Sequence, residues 1–493
     1  MSRVAPWLWL GTLLAGALAL VSSCAVGPDF KRPAAPQARG YGSTMLAATG
    51  VSEVTGGEIQ HLVPGHDISG EWWTLFHCQP LDELIDRALK ANPDVKAAQS
   101  ALHAAREQVL AQRGAYLPSL DAGLAASRQK TSEQLAPTPS SGALYFSLYT
   151  AQLSVSYVPD VFGLNRRTVE ALTAHAEEAR FALAATHLTL TSNLALAAAQ
   201  EASLRAQIAA TRELIAINTD TLRVLRNQYG EGYAGRLDVA AQESQLAQVE
   251  ASLPPLLKAL AVQRHVLTAL SGSLPDEEIP ESFEFTQMQL PQELPLSLPS
   301  QLVQHRPDVR QAEENLHAAS AQVGVAVANR LPNITLTGDV GSSAVGPSQI
   351  FAAGTEFWDL GAALTQPIFH GGTLLHQERA ARAAYEQAAQ SYRSTVLTAF
   401  QNVADTLAGL AQDAETLKAA SAAERSAAVT LELTRKQQQG GYASYLALLN
   451  AEQAYQQSLL ALIQARASRY ADTAALFQAL GGGWWNRPDL AKE

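Results

Sequence analysis

The chain contains two copies of one long unit, and this duplication restricts its possible folds more than any other feature. Four short motifs recur in the same order at an offset of 209 to 214 residues. The pairs are Asn92-Pro93-Asp94-Val95 with Arg306-Pro307-Asp308-Val309, Leu102-His103-Ala104-Ala105 with Leu316-His317-Ala318-Ala319, Gly232-Tyr233-Ala234 with Gly441-Tyr442-Ala443, and Ala269-Leu270-Ser271-Gly272 with Ala479-Leu480-Gly481-Gly482. A unit of about 200 residues is too long for a solenoid repeat, so we expect two similar halves in one pseudo-symmetric body.

The first 23 residues are typical of a secretory signal peptide. One basic residue, Arg3, precedes an apolar run from Trp7 to Val21, and small residues stand directly before Cys24. This ending resembles the bacterial lipobox, in which the Cys is acylated and begins the mature chain. The other reading is a secreted protein with an incidental Cys. We expect lipidation at Cys24, and Ala25, where Asp would favour inner-membrane retention in such lipoproteins, indicates the outer membrane.

Composition excludes several classes of protein. The net charge is -11, so the chain carries no basic patch suited to nucleic acid. The only cysteines are Cys24 and Cys78, and acylation of the first leaves no internal disulfide. No run of 18 apolar residues follows the signal peptide, which argues against a membrane-spanning helix but leaves a β-barrel open, because barrel strands alternate in polarity.

Each half contains two segments with the alternation of β-strands. They are residues 117–127 and 151–158 in the first half, and 331–341 and 357–365 in the second. One face of each is apolar, whereas the other carries Ser, Thr, Gln and the carboxylates Asp121, Asp339 and Asp359. A small sheet packed on helices is one interpretation, but the wetted polar face favours a membrane barrel. Four strands are too few to close a barrel with a water-filled lumen, whereas three chains would supply twelve strands.

The outer part of the second strand departs from this pattern. Leu144, Phe146 and Leu148 lie on the opposite phase to Leu153 and Val155. The sequence therefore predicts either a β-bulge or an inward aromatic cluster there.

Long Ala-rich heptads follow each strand pair. No Pro or Gly interrupts residues 164–228, which predicts a coiled-coil helix on the order of 100 Å long. We expect returning helices at about 237–270, kinked at Pro254-Pro255, and at about 445–480. Gly-rich joints connect the outgoing and returning helices.

These features predict a domain order along the chain. The expected segments are a signal peptide at 1–23, a lipidated extended segment at 24–78, a first repeat at 79–272, a Pro-rich acidic linker at 273–300, a second repeat at 301–482 and a tail at 483–493.

The lipobox, Val26-Gly27-Pro28-Asp29-Phe30, Glu71-Trp72-Trp73 and the doubled motifs together resemble the outer-membrane factor family, the TolC-like NodT-type efflux lipoproteins. The resemblance covers the chain from Cys24 to about Gly482. It implies an α+β fold in which a homotrimer forms a twelve-stranded outer-membrane barrel continued by a periplasmic coiled-coil barrel. Substrates would arrive from an inner-membrane pump, usually of the resistance-nodulation-division type, through a periplasmic adaptor. The implied protein conducts drugs or other small toxic compounds passively.

The resemblance also implies two sets of functional residues. The helix joints, at Gly232-Tyr233 and Gly441-Tyr442, are expected to face the periplasmic end and contact the adaptor. The family narrows its tunnel with a Leu ring, an Asp and an Arg in the pattern Tyr-Leu-x-Leu-Leu-Asp-Ala-x-Arg. Here these positions fall on Leu446, Asn450 and Gln453, so both charges are missing. We expect a closed state whose conductance depends little on salt or mild acid. The other interpretation is that Leu446, Asn450 and Gln453 occupy ordinary polar heptad positions.

Three functions of other classes compete with this interpretation. The sequence lacks the His-Glu-x-x-His, Gly-x-x-x-x-Gly-Lys, Gly-x-Ser-x-Gly and Cys-x-x-Cys motifs, so we predict no catalysis, metal site or cofactor. The repeat-equivalent His103 and His317 suggest a shared packing role. The second competing function is that of a structural lipoprotein whose coiled coils tether the outer membrane. Such a tether would not need strands with one apolar and one polar face. A channel for type I protein secretion remains the alternative.

Overall fold

A computed structural model describes residues 25–36, 38, 40–42, 46–132, 134 and 144–491. The predicted signal peptide and Cys24 lie outside the described residues, as does part of the loop predicted at 128–143. The chain divides into two compact units. Within the described residues, unit 1 comprises 25–32, 103–178 and 312–392, and unit 2 comprises 33–102, 179–311 and 393–491. Each unit takes comparable segments from both halves of the sequence, as a duplicated chain requires.

The same order of elements occurs twice along the chain. The first half contains β1 His61–Pro64, α1 Gln79–Ala91, α2 Pro93–Arg113, β2 Ser119–Lys130, β3 Tyr145–Tyr157, α3 Leu164–Gly230 and α4 Arg236–Leu270. The second half contains β4 Glu293–Leu296, α5 Pro299–His305, α6 Pro307–Ala328, β5 Asn333–Ala344, β6 Glu356–Thr365, α7 Thr373–Gln439, α8 Tyr445–Ala479 and the short α9 Pro488–Ala491. The duplication extends to length, since α3 and α7 each have 67 residues and α4 and α8 each have 35.

Unit 1 contains a four-stranded antiparallel sheet in the order β2-β3-β5-β6. Its apolar face is open to the surroundings, with Leu124 86% exposed and Trp358 75% exposed. On the polar face, Ser154 donates a hydrogen bond to its cross-strand partner Asp339. A soluble sheet would bury the apolar face, so this polarity is that of a barrel wall in lipid. Within the described residues, the outer edges of β2 and β6 pair with no strand.

The register of β2 and β3 decides between the two expectations for the outer part of β3. Pairing runs without interruption from Ser119 opposite Ser156 to Lys130 opposite Tyr145. A bulge would shift the register by one residue, so the bulge is excluded. Because side chains alternate, Phe146 and Leu148 lie on the polar face of the sheet.

Unit 2 buries the predicted heptads. Leu183, Leu190, Ala197 and Leu204 of α3 are all buried, and so are Val403, Leu410 and Leu417 of α7. In the described residues, α3 is the one helix that is long and apolar enough to cross a membrane, but most of its apolar window is packed inside the protein. Pro254 and Pro255 lie inside the continuous α4. The burial of these Leu, Ala and Val residues at heptad spacing is the packing of a coiled-coil seam in water.

The predicted linker and N-terminal segment are more structured than the sequence indicated. β1 and β4 form a parallel pair, with His61 opposite Glu293. Linker residues Phe283 and Leu294 are fully buried. In the segment predicted to be extended, a short 3-10 helix at Trp72–Phe76 precedes Cys78, whose thiol is buried with its pKa raised by that burial. The linker, and the N-terminal segment from Pro33 onwards, thus belong to unit 2.

The C-terminal tail also packs against unit 2. Trp484 is buried and meets Phe181 edge-on, with ring centroids 5.4 Å apart. Its indole Nε1 donates a 2.6 Å hydrogen bond to the carbonyl oxygen of His305. The tail therefore helps to close the core that the repeats form.

Candidate functional site

The two joints between long helices have the same backbone structure. In the first, Gly232 has φ +80°, its N–H donates to Tyr229 O at 3.1 Å, and Tyr233 N–H donates to Gln228 O at 2.8 Å. In the second, Gly441 has φ +77°, and Gly441 N–H and Tyr442 N–H donate to Gln438 O and Gln437 O at 3.0 and 2.8 Å. Both are Schellman motifs, in which a left-handed glycine ends the helix and its last carbonyls are satisfied.

Each returning helix then begins with its own cap. The carboxylate of Asp238 accepts a 3.1 Å hydrogen bond from Gly235 N–H at the start of α4. At the start of α8, Ser444 Oγ accepts one from Ala447 N–H at 3.2 Å. Between cap and helix end, Tyr233 and Tyr442 are 85% and 89% exposed. The joints therefore present two aromatic side chains on rigid turns, as a partner-binding surface requires.

The predicted aperture residues share one face of α8. Leu446 is 66% exposed, and Asn450 and Gln453 are also exposed. The opposite face of the helix is buried against the other long helices of unit 2. That apolar core consists of Leu225, Leu431, Tyr445, Leu448, Leu449 and Ala451. The structure thus brings the three residues together on an accessible surface, and their role in lining a pore stays a prediction.

Neutral hydrogen bonds hold α8 against α4 behind this face. Tyr445 OH bonds to Gln242 Oε1, and Gln242 Nε2 donates at 3.0 Å to both the carbonyl and the side-chain oxygen of Asn218 on α3. Gln453 Nε2 donates to Gln245 Oε1 at 3.0 Å. Burial raises the pKa of Tyr445, so its hydroxyl stays a neutral donor. Since none of these groups is charged, salt screening leaves the contacts intact.

Two contacts between an Arg and a Glu near the joints were not predicted from the sequence. Arg226 Nη2 lies 2.6 Å from Glu243 Oε1 between α3 and α4, and Arg435 Nη2 lies 3.6 Å from Glu452 Oε1 between α7 and α8. Both residues of the second pair follow those of the first by 209 residues, the offset of the joints. This recurrence was the sequence signal from which the two contacts could have been predicted. The heptad pattern gave no indication that a Glu would be buried.

The segment that directly follows Cys24 is docked on unit 1. Val26 N–H donates to Phe162 O at 3.2 Å, and Arg167 donates from Nε to Val26 O at 3.0 Å and from Nη2 to Asp29 at 2.7 Å. Phe30 stacks on His317 with ring centroids 4.3 Å apart. The start of the predicted mature chain is therefore fixed next to the connection between β3 and α3.

No group of three His, Cys, Asp or Glu side chains in the described part of the chain could hold a metal ion. His317 instead contacts Glu170, with His317 Nε2 3.1 Å from the carboxylate. This contact belongs to the docking of the N-terminal segment.

Comparison with known proteins identifies relatives along nearly the whole chain. The outer membrane efflux protein family matches residues 84–273 and 298–482. The toluene efflux pump outer membrane protein TtgC of Pseudomonas putida is 28% identical over 484 residues, covering 96% of each chain. Among solved structures, the outer-membrane channel OprN superposes with a TM-score of 0.82 at 25% identity, covering 94% of this chain and all of that one. VceC of Vibrio cholerae gives 0.78 at 28% identity, covering 85% and 100%.

Proposed function

This chain belongs to the outer membrane efflux protein family and is an outer-membrane channel of TolC-like fold, and we propose that it is the passive conduit of a tripartite efflux system. An inner-membrane resistance-nodulation-division pump supplies the substrates in this proposal, and a periplasmic adaptor connects pump and channel. The substrates are drugs or other small toxic compounds, the class that includes the toluene in the name of TtgC. The channel itself catalyses no reaction. The efflux relatives favour this assignment over type I protein secretion.

The open sheet of unit 1 is the observation that carries the proposal. Its apolar face, which includes Leu124 and Trp358, is exposed, and its two outer edges pair with no strand within the described residues. Unpaired backbone groups are too costly in a bilayer, so a sheet in lipid has to close on itself. In our proposal three copies contribute four strands each to a twelve-stranded barrel.

The N-terminal segment supports the proposed lipid anchor. The hydrogen bond from Val26 to Phe162 fixes the first described residues near the end of strand β3, where a barrel strand leaves the membrane in our proposal. Acyl chains on Cys24 would enter the outer-membrane lipid at that level. Several chains on one residue anchor stably, whereas a single chain binds reversibly.

The proposed adaptor contact lies at the helix joints. Gly232 and Gly441 hold rigid turns that expose Tyr233 and Tyr442. Grooves between the long helices beside these turns suit a helical hairpin of the adaptor.

The proposed aperture is tested by truncating the Leu of its ring. Leu446→Ala is expected to raise the resting conductance of the channel in planar bilayers, because an apolar constriction loses its bulk. The matched control is Leu237→Ala, since Leu237 is the repeat-equivalent residue on α4 and is 81% exposed. The control should keep the wild-type conductance. Equal leakage from both variants, or from neither, would contradict an aperture formed by α8.

A further inference from the structure

Glu452 is a buried carboxyl without a hydrogen-bond partner in the part of the chain that the structure describes. Glu452 as a whole is 3% exposed, and neither of its carboxylate oxygens accepts a hydrogen bond. Arg435 Nη2, at 3.6 Å from Oε1, is near enough for an ion pair but too distant for a hydrogen bond. Leu448 and Leu449, one turn before Glu452 on α8, belong to the apolar core behind the predicted aperture. A carboxylate in such a place lacks compensation for its lost hydration.

The first repeat contains the same pair in a different environment. Arg226 and Glu243 are 2.6 Å apart, and the side chain of Glu243 is 48% exposed, against 4% for Glu452. Both pairs connect an outgoing and a returning helix at the same distance from a joint. Only in the second repeat does the Glu of the pair lie on the helix that carries Leu446, Asn450 and Gln453. The difference in burial therefore coincides with the difference in proposed function.

We infer that Glu452 is the proton-sensitive residue of the aperture, so that its protonation favours the closed state and its ionisation favours the open state. The inference rests on the proposed role of Leu446, Asn450 and Gln453. Glu452 is adjacent to Gln453 on a rigid helix, so a movement of α8 that withdraws the aperture residues also moves Glu452. Such a movement changes the packing of its buried face and admits water to the carboxyl.

The electrostatic surroundings determine the direction of the effect. Burial raises the pKa of Glu452, and Arg435 on α7 opposes this only in part. On its own helix, Tyr445 interacts electrostatically with Glu452 and has a raised pKa. Tyr455 lies one turn beyond Glu452, and its pKa is raised by burial and by Glu424 on α7 and Glu213 on α3. The hydrogen-bonded side chains of Asn218, Gln242 and Gln245 on α3 and α4 are neutral. Glu452 thus binds a proton more tightly in the closed state, where it is buried, than in the open state, where water reaches it. Rising pH favours opening, by about tenfold per pH unit for each proton released. This replaces the expectation from the sequence alone that mild acid has little effect, which did not include a buried Glu452.

The test is the pH dependence of resting conductance, measured on the full-length channel in planar bilayers at constant ionic strength. From mildly acidic to mildly alkaline pH, the wild-type conductance should rise relative to the fully open state. Glu452→Gln should stay closed with a flat profile, because an amide does not ionise. Glu243→Gln, the matched control from the other repeat, should follow the wild type. A wild-type profile for Glu452→Gln, or equal flattening by Glu243→Gln, would overturn the inference.

Two further variants separate the possible failures. Arg435→Gln removes the cation that lowers the pKa of Glu452, so the opening of this variant should move to higher pH. It therefore tests the inference even if Glu452→Gln does not assemble, and an unchanged or lower opening pH would contradict it. Leu446→Ala tests the aperture alone. If Leu446→Ala leaks while the Glu452 and Arg435 variants keep the wild-type profile, the proposed function stands and only the proton-sensitive role fails.

Discussion

At the residue scale, the joints depend on one backbone conformation that glycine adopts without strain. Gly232 and Gly441 both have φ near +80°, and an added Cβ at either position would meet no atom within 4 Å. Space is therefore available, and the cost of a side chain is conformational. For an L-residue the left-handed region costs about 1 to 2 kcal/mol, and a β-branched side chain is disfavoured further.

We expect Gly232→Val combined with Gly441→Val to abolish export while trimers still reach the membrane. The strained turns would change the direction of Tyr233 and Tyr442, on which the proposed adaptor contact depends. Accumulation of a fluorescent efflux substrate in cells is the measurement. Gly230→Val is the control, because Gly230 is helical and an added Cβ there also meets no atom within 4 Å. Normal export by the double variant, or equal loss in the control, would argue against the joints.

At the element scale, the two faces of the sheet are expected to meet different surroundings, with lipid on the apolar face and water on the polar face. Leu124 lies in the middle of β2 on the apolar face, and its neighbour Ala125 points to the polar face. This pair gives a direct test of which face meets lipid, since the two positions share backbone, depth and strand.

Leu124→Arg is expected to cost about 2 to 4 kcal/mol, the penalty for a cationic side chain at the middle of the bilayer. Ala125→Arg places the same cation on the water-filled side and should be close to neutral. The fraction of protein assembled in the outer membrane, measured by heat-modifiability on gels, reports the difference. Similar assembly of both variants would mean that the apolar face is not in lipid.

Elements with a strong local pattern were predictable from the sequence. The predicted helix at 164–228 became Leu164–Gly230, and the strand pairs and joints were found close to their predicted positions. The pairing of β1 with β4 was missed because each strand has four residues and the partners are some 230 residues apart. Glu452 was missed because burial of a charge depends on packing between helices. Its repeat-equivalent Glu243 has the same local sequence position and is half exposed.

At the scale of the whole molecule, the two repeats of each chain make equal contributions to the wall of the proposed barrel. Both halves contribute one strand hairpin to unit 1 and one long helical hairpin whose returning arm lies in unit 2. The sheet ends in two edges, β2 and β6, of 12 and 10 residues. In lipid each unpaired backbone group on such an edge costs several kcal/mol, so a single chain does not form a stable membrane sheet.

We therefore expect the purified protein in detergent to be a trimer, in which β2 of one copy pairs with β6 of the next. Native mass spectrometry should give three chains, each heavier than the polypeptide from Cys24 onwards by the mass of its acyl groups. Cys24→Ala is the informative variant, because it removes the lipid but leaves the strand edges unchanged. It should lose the acyl mass and still form trimers. A folded monomer from the wild-type protein would refute the shared barrel, whereas monomers from Cys24→Ala alone would show that assembly depends on the lipid and not on edge pairing.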